Sequence, residues 1–305
     1  LSSVNKIIEN AEGANALIVD DGSGAAVALS AKLINEGWHV TALKPSWVVS
    51  SSKKSFSKAV KVIEVGTNDK TVDEAQIKQI VETSEQLDSV IYLQAKETVN
   101  AIQYPEAAKQ GLMLAFVLAK LCTVKANVTA NIKATSKARA AFMVVTRQGG
   151  ALGFASAEGS QHVKADVKAD LVQAGLAGLV KTLSHEWNTN EDENGVFCRI
   201  VDLSAKLAAD KAATIISDEL LDIDTVTVEV AHDTDNLSNN IGTRLTLSGV
   251  ATDSYSLSAG NSIDNNSVFL VSGGAKGVTA HCVIEIAKKY QSTFILLGRS
   301  PYLDI

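Results

Sequence analysis

Near the end of the chain, Ser272-Gly273-Gly274-Ala275-Lys276-Gly277-Val278-Thr279-Ala280 sets a glycine cluster and a cation between two apolar stretches. These residue types suit phosphate chemistry. Gly273 and Gly274 permit a turn with no Cβ in the way, so backbone N–H groups can approach a pyrophosphate, and Gly277 lets a following helix start close against the preceding strand. The unpaired N–H groups and the positive end of that helix then face the anion. Gly273, Gly274, Ala275, Lys276, Gly277 and Val278 form the candidate pyrophosphate-binding set. Further on, Arg299 and Ser300 stand at the tip of the next apolar run with no acid nearby. An acid there would hold a ribose 2′-hydroxyl, whereas an arginine accommodates a 2′-phosphate, so the residues point to NADPH rather than NADH.

Such a turn works only if a strand delivers it and a helix receives it. Val268-Phe269-Leu270-Val271 is an apolar, partly β-branched run. Val278 to Tyr290 has helical spacing, with Val283, Ile286, Ala287 and Tyr290 on one face, and Phe294-Ile295-Leu296-Leu297 reads as the second strand. The pattern is a βαβ unit, and it occurs twice. Ala16 to Val19, then Asp20-Asp21-Gly22-Ser23-Gly24, a helix from Ala25 to Glu36 and a strand from Trp38 to Leu43 repeat it, with Leu33 opposite Ile286 and Leu43 opposite Leu296. The first copy has a turn one residue shorter and two carboxylates, Asp20 and Asp21, at its mouth. Either can cap the helix. Both would repel a pyrophosphate, by about 1 kcal/mol per contact pair even at water-like dielectric.

Between the copies the chain alternates. Strands are expected at Val60 to Val65, Val90 to Leu93, Ala141 to Thr146, Phe197 to Val201 and Val226 to Val230, the last two closing the series. Helices are expected from Thr71, with Asp73 and Glu74 in the first turn, over Leu112 to Leu121, buried on several sides, and over Leu171 to Trp187. This alternation predicts a doubly wound parallel sheet with helices on both faces. Ala251 to Asn266, rich in Ser, Asn, Asp and Gly, reads as a linker. With 305 residues, 46% of them apolar, the chain has ample core, and a net charge of −6 argues against a nucleic-acid surface. Cys122, Cys198 and Cys282 lack metal-ligand spacing and fit reduced thiols in the cytoplasm. No apolar run reaches the roughly 18 residues of a membrane span. The five histidines are scattered, and each reads as a surface or satisfied core residue.

Two dehydrogenase-like halves, the first with a degraded glycine turn and the second with an intact one, resemble the ketoreductase region of type I polyketide and fatty-acid synthases, within the short-chain dehydrogenase/reductase superfamily. Ser272 to Ala280 is most similar to bacterial polyunsaturated fatty acid synthase multienzymes. Phe142 to Gly150, Gly178 to Glu186, Val201-Asp202-Leu203 and Gly242-Thr243-Arg244 add pattern-level support. The resemblance implies a structural pseudo-subdomain followed by a catalytic subdomain that uses NADPH to reduce a β-ketoacyl thioester carried by an acyl carrier protein. It also implies a Tyr-x-x-x-Lys pair on the helix at Leu171 to Trp187, and there the tyrosine position falls on Ala169 and the lysine position on Gln173. Neither does that chemistry. Tyr92-Leu93-Gln94-Ala95-Lys96 matches the spacing literally, but in a strand four residues span about 13 Å, so Tyr92 reads as a core tyrosine. Where many of these enzymes carry a third glycine after Gly277, this chain has Thr279.

The expectation is therefore a Rossmann-like structural subdomain over 1–250, a linker over 251–266 and, over 267–305, the first βαβ of an NADPH-binding subdomain whose catalytic Ser, Tyr and Lys lie past Ile305. The chain alone is expected to be inactive and to hold NADPH weakly, with neighbouring synthase domains and the acyl carrier protein as partners, and no nucleic acid. Two alternatives are a non-catalytic scaffold that organises those neighbours, and an active dehydrogenase or epimerase using the first crevice. Asp20, Asp21, Ala169 and Gln173 speak against the last.

Overall fold

The structure, a computed structural model, is described over residues 12–84, 87–95, 106–123, 139–153, 171–188, 195–204, 206–233, 243–249 and 263–298. It divides into two compact units, Leu1–Ser248 and Gly249–Ile305.

The first unit is built on one sheet. Its strands are β1 (Asn15–Val19), β2 (His39–Pro45), β3 (Lys61–Val65), β4 (Ser89–Leu93), β5 (Ala141–Thr146), β6 (Phe197–Leu203), β7 (Glu229–Asp233) and β8 (Thr243–Thr246), in the order β3-β2-β1-β4-β5-β6-β7-β8. All neighbours are parallel except β7 and β8. The helices are α1 (Ala25–Asn35), α2 (Glu74–Thr83), α3 (Glu106–Thr123), α4 (Leu171–Trp187) and α5 (Ala209–Leu220).

The central strands β4, β5 and β6 are buried on both faces, which is why they read as nearly continuous apolar runs. Alternate residues feed two cores. Ala16, Ile18, Ile91 and Met143 pack with Leu29 and Leu33 of α1 and Ile216 of α5. Leu17, Val90, Phe142 and Val144 pack with Ile77 of α2, Leu114 of α3 and Val180 of α4. The doubly wound sheet expected from the alternation is the fold observed.

Several local expectations shift. Val226 to Val230 is not the strand. Asp224 Oδ1 accepts from Val226 N and Thr227 N, which bends the chain before β7, and Val226 is 87% exposed. An unforeseen helix, α5, and an unforeseen antiparallel edge strand, β8, are also present among the described residues. Asp73 does not lie inside α2 but caps it, accepting from Ala75 N and Gln76 N. Helix α3 is buried through Leu114, Ala115, Val117 and Leu118, in keeping with the expectation, while Met113 and Phe116 are about half exposed.

The second unit is β9 (Val268–Ser272), α6 (Gly277–Tyr290) and β10 (Thr293–Leu297), the two strands pairing in parallel with Phe269 stacked on Phe294 at 5.0 Å between ring centroids. The repeat holds at an offset of 253, because β1 spans Asn15–Val19 and β9 spans Val268–Ser272. On that offset the spacing from strand end to the positive-φ glycine is the same in both turns, Gly24 at φ 90° matching Gly277 at φ 62°. The expected one-residue deficit in the first turn is therefore absent. The extra residue lies further on: Val19 pairs with Leu43 but Ser272 with Leu297, so Leu43 corresponds to Leu297 and not to Leu296. Two backbone bonds repeat this equivalence, Asp20 N to Leu43 O at 2.9 Å and Gly273 N to Leu297 O at 2.7 Å. The residues expected to form a linker, 251–266, fall outside the described residues up to 262.

Candidate functional site

In an open parallel sheet ligands bind outside the carboxyl ends of the strands where the order reverses, here between β1 and β4. The turn after β1 lies at that point. Asp20 accepts from Gly22 N at 3.0 Å, and Asp21 Oδ1 accepts from Ser23 N at 3.1 Å and Ser23 Oγ at 2.7 Å. Neither carboxylate caps α1, contrary to expectation. The N-cap is Gly24, with no side-chain capping bond, and Ser23 Oγ accepts from Ala25 N. Burial raises the Asp20 carboxyl above its ordinary value; Gly22 N–H opposes this, the Asp21 charge adds to it, and Lys44 opposes it.

The crevice is closed by residues from the other side of the switch point. Arg147, just past β5, places Nη2 3.3 Å from Asp21 Oδ2, both side chains almost wholly buried. Its backbone N–H donates to Gln173 Oε1 at 2.5 Å, so the residue at the expected lysine position is a buried structural amide. Asp202, at the end of β6, gathers the next turn: Thr146 Oγ1, Gln148 N, Gly150 N, Ala151 N and Leu152 N all donate to its carboxylate. Burial nonetheless raises the Asp202 carboxyl, against the pull of those donors. Beside Asp20, the side chains of Trp47, Tyr92 and Gln94 leave a cavity of about 10 Å³, room for about one water molecule. Tyr92 is the core tyrosine expected, its hydroxyl donating to Gly111 O at 2.8 Å and Gln94 Oε1 at 2.9 Å. Lys96 and Ala169 lie outside the described residues. Among the described residues, the Asp21–Arg147 pair occupies the mouth of this crevice.

The turn after β9 is different in kind. Gly273 and Gly277 have φ of 72° and 62°, and a Cβ at either would meet nothing within 4 Å. Both are required by backbone conformation. The close approach expected at Gly277 occurs instead at Gly274, where a Cβ would lie 2.7 Å from Leu296 Cδ2 and 3.0 Å from Val271 Cγ1. Gly273 N–H is engaged by Leu297, so the free donors of the turn begin after it. Lys276 is the N-cap of α6 and makes no side-chain capping bond, and Ala275, Lys276, Gly277 and Val278 are exposed. Backbone donors without a side-chain cap, a nearby cation and no obstructing Cβ fit an anionic group. Arg299 and Ser300 lie outside the described residues.

Sequence reasoning missed a second polar cluster in the first unit, built on β6, α5, β7 and β8. Arg199, fully buried, donates to Glu219 and, at 2.9 Å, to Asp222; Arg244 of β8 donates to the same two carboxylates, and His232 Nε2 lies 2.7 Å from Glu219 Oε1. Arginines in strand patterns were the only signal available. His232 is thus a satisfied core residue, as expected. Cys198 is inert, burial pushing its thiol up to about 12. Among the described residues no group of three or more His, Cys, Asp or Glu could hold a metal ion, and no helix is long and apolar enough to cross a membrane.

Comparison with known proteins adds a relative. Over 191 residues the chain is 32% identical to one of the polyunsaturated fatty acid synthase subunits of a Thraustochytrium species, a match covering 62% of this chain. The chain resembles part of a polyunsaturated fatty acid synthase. The likeness to these synthases expected from the Ser272 to Ala280 segment is borne out, although the match spans only 6% of the length of that synthase polypeptide. No protein-family model matches the chain. Solved structures with a similar chain course include BdcA in complex with NADPH (12% identity, TM-score 0.47, 72% of this chain and 92% of that one). Others are a short-chain dehydrogenase/reductase from Serratia marcescens (12%, 0.43, 70% and 92%) and a carbonyl reductase from Pseudomonas aeruginosa (14%, 0.44, 68% and 90%).

Proposed function

We propose that this chain is part of an NADPH-dependent β-ketoacyl reductase within a fatty-acid or polyketide synthase polypeptide, acting in the cytoplasm on a chain held by an acyl carrier protein. The observation that carries the reading is the contrast between the two related turns. The first is filled by Asp21, Arg147 and a packed tryptophan, whereas the second is open, glycine-lined and headed by an uncapped helix. The likeness to a fatty acid synthase polypeptide supports the same assignment.

In this reading the first unit is a scaffold, and the second begins the cofactor-binding subdomain. Ala275, Lys276, Gly277 and Val278 would hold the pyrophosphate by backbone N–H groups and the Lys276 charge, while Gly273 and Gly274 shape the turn. Arg299 and Ser300 would take the 2′-phosphate. The bound cofactor supplies the hydride. The proton donor is assigned to residues of the longer polypeptide, since neither Tyr92 nor Gln173 is placed for it.

The test is a titration of NADPH and NADH against the synthase polypeptide that contains this chain, with reduction of a β-ketoacyl thioester as readout. NADPH should bind more tightly and Lys276→Ala should weaken it several-fold, with ketone reduction falling in parallel. Binding of neither nucleotide would favour the scaffold alternative. Reduction by residues 1–305 alone would place catalysis in the first crevice and overturn the assignment.

A further inference from the structure

The first crevice has not simply lost its ligand; it carries one of its own. Arg147 reaches the head of α1 from the far side of the switch point, 126 residues along the chain from Asp21. Its Nη2 lies 3.3 Å from Asp21 Oδ2 and 3.4 Å from Ser23 Oγ, with the two charged side chains 4% and 1% exposed. A guanidinium so deeply buried needs an anion beside it. Asp21 supplies that charge, and its carboxylate is anchored in turn by Ser23 N and both Ser23 Oγ contacts. On the 253-residue offset Asp21 occupies the position of Gly274, where the open turn has no side chain at all. We propose that Asp21 is a built-in substitute for a phosphate group: it holds Arg147 and the turn after β1 together as a bound phosphoryl ligand would, and so keeps an otherwise competent anion site shut.

The contact links the end of β5 to the turn after β1 across β4, so it assembles the rim of the crevice without a bound nucleotide. Removing the Asp21 charge leaves a buried cation at a glycine turn, beside an Asp20 carboxyl that is turned onto Gly22 N–H and raised by burial, and a solvent phosphate should then take the place of Asp21. This inference concerns the first unit only and stands apart from the cofactor assignment for the second.

The experiment is calorimetric titration of inorganic pyrophosphate into the whole chain as wild type, Asp21→Asn and Asp21→Asn/Arg147→Gln. The turn at Gly273 to Gly277 is common to all three and contributes the same background, whether or not it binds. Asp21→Asn should gain binding at least tenfold tighter than wild type, with a melting temperature that rises on adding pyrophosphate, and the double variant should lose both. Asp21→Ser, run alongside, keeps a short polar side chain should the asparagine variant fold poorly. A folded Asp21 variant with no gain, or a gain that survives loss of Arg147, would overturn the proposal.

Discussion

Arg244 grips Glu219 with two nitrogens, Nε 2.7 Å from Oε1 and Nη2 3.1 Å from Oε2, and so pins the antiparallel edge strand β8 to helix α5. The same guanidinium reaches Asp222 at 2.7 Å, and Arg199 binds both carboxylates from the other side. Removing one partner of a buried ion pair leaves the remaining charge uncompensated, which typically costs about 3–5 kcal/mol. Arg244→Met should therefore lower the unfolding free energy by about 3 kcal/mol in urea titrations, near the bottom of that range because Arg199 remains. Hydrogen exchange at the β7 and β8 amides should accelerate before that of β4 or β5.

The cluster also sets an acid limit. Burial alone would raise the Glu219 carboxyl, but hydrogen bonds from His232 and Arg244, and the charges of Arg199 and Arg244, bring it from 4.5 to about 2. A carboxyl depressed in the fold contributes stability that is fully present above its unfolded value and lost as pH falls through the folded one. The contribution, about 3 kcal/mol, should fade between about pH 4.5 and pH 2. Asp20 and Asp202 are raised, so their protonation favours the fold and opposes this slope. Chemical denaturation of wild type and Glu219→Gln at stepped pH isolates the Glu219 share. The two stability curves should converge as the pH drops towards 2, and parallel curves would refute it.

Tyr92→Phe tests whether this residue is structural. The change removes a buried donor to Gly111 O and Gln94 Oε1, which should cost about 1–2 kcal/mol. Thermal unfolding should show the loss, while ketone reduction by the parent polypeptide stays unchanged. A collapse of activity with stability intact would assign Tyr92 to catalysis.

Two glycines of the second unit should fail for different reasons. Gly277→Ala forces an L residue to positive φ, at about 1–2 kcal/mol. Gly274→Val overlaps Leu296 and Val271, an overpacking cost of about 1–3 kcal/mol. Adding Leu296→Ala should recover part of the second loss and none of the first, as read from hydrogen exchange in β9 and β10.

The alternation of apolar runs with helical spacing determined the doubly wound sheet, because strands buried on both faces must be continuously apolar whatever covers them. It also determined the repeat, since Gly24 and Gly277 meet a backbone requirement local to each turn. Gln173 was legible as a residue unable to act as a lysine, because that needs only its identity; its buried bond to Arg147 N–H was not. The pairings were not. Asp21 with Arg147 and Arg244 with Glu219 join residues 126 and 25 positions apart, and no local pattern marks which arginine a carboxylate will meet. Sequence showed two negative charges at the mouth of the first turn and predicted repulsion. Only the packing of β5 beside β4 brought Arg147 to that mouth, where it pairs with Asp21 and closes the rim. The role of Gly274 was likewise decided by tertiary contact, because a missing Cβ matters only where something stands in its space.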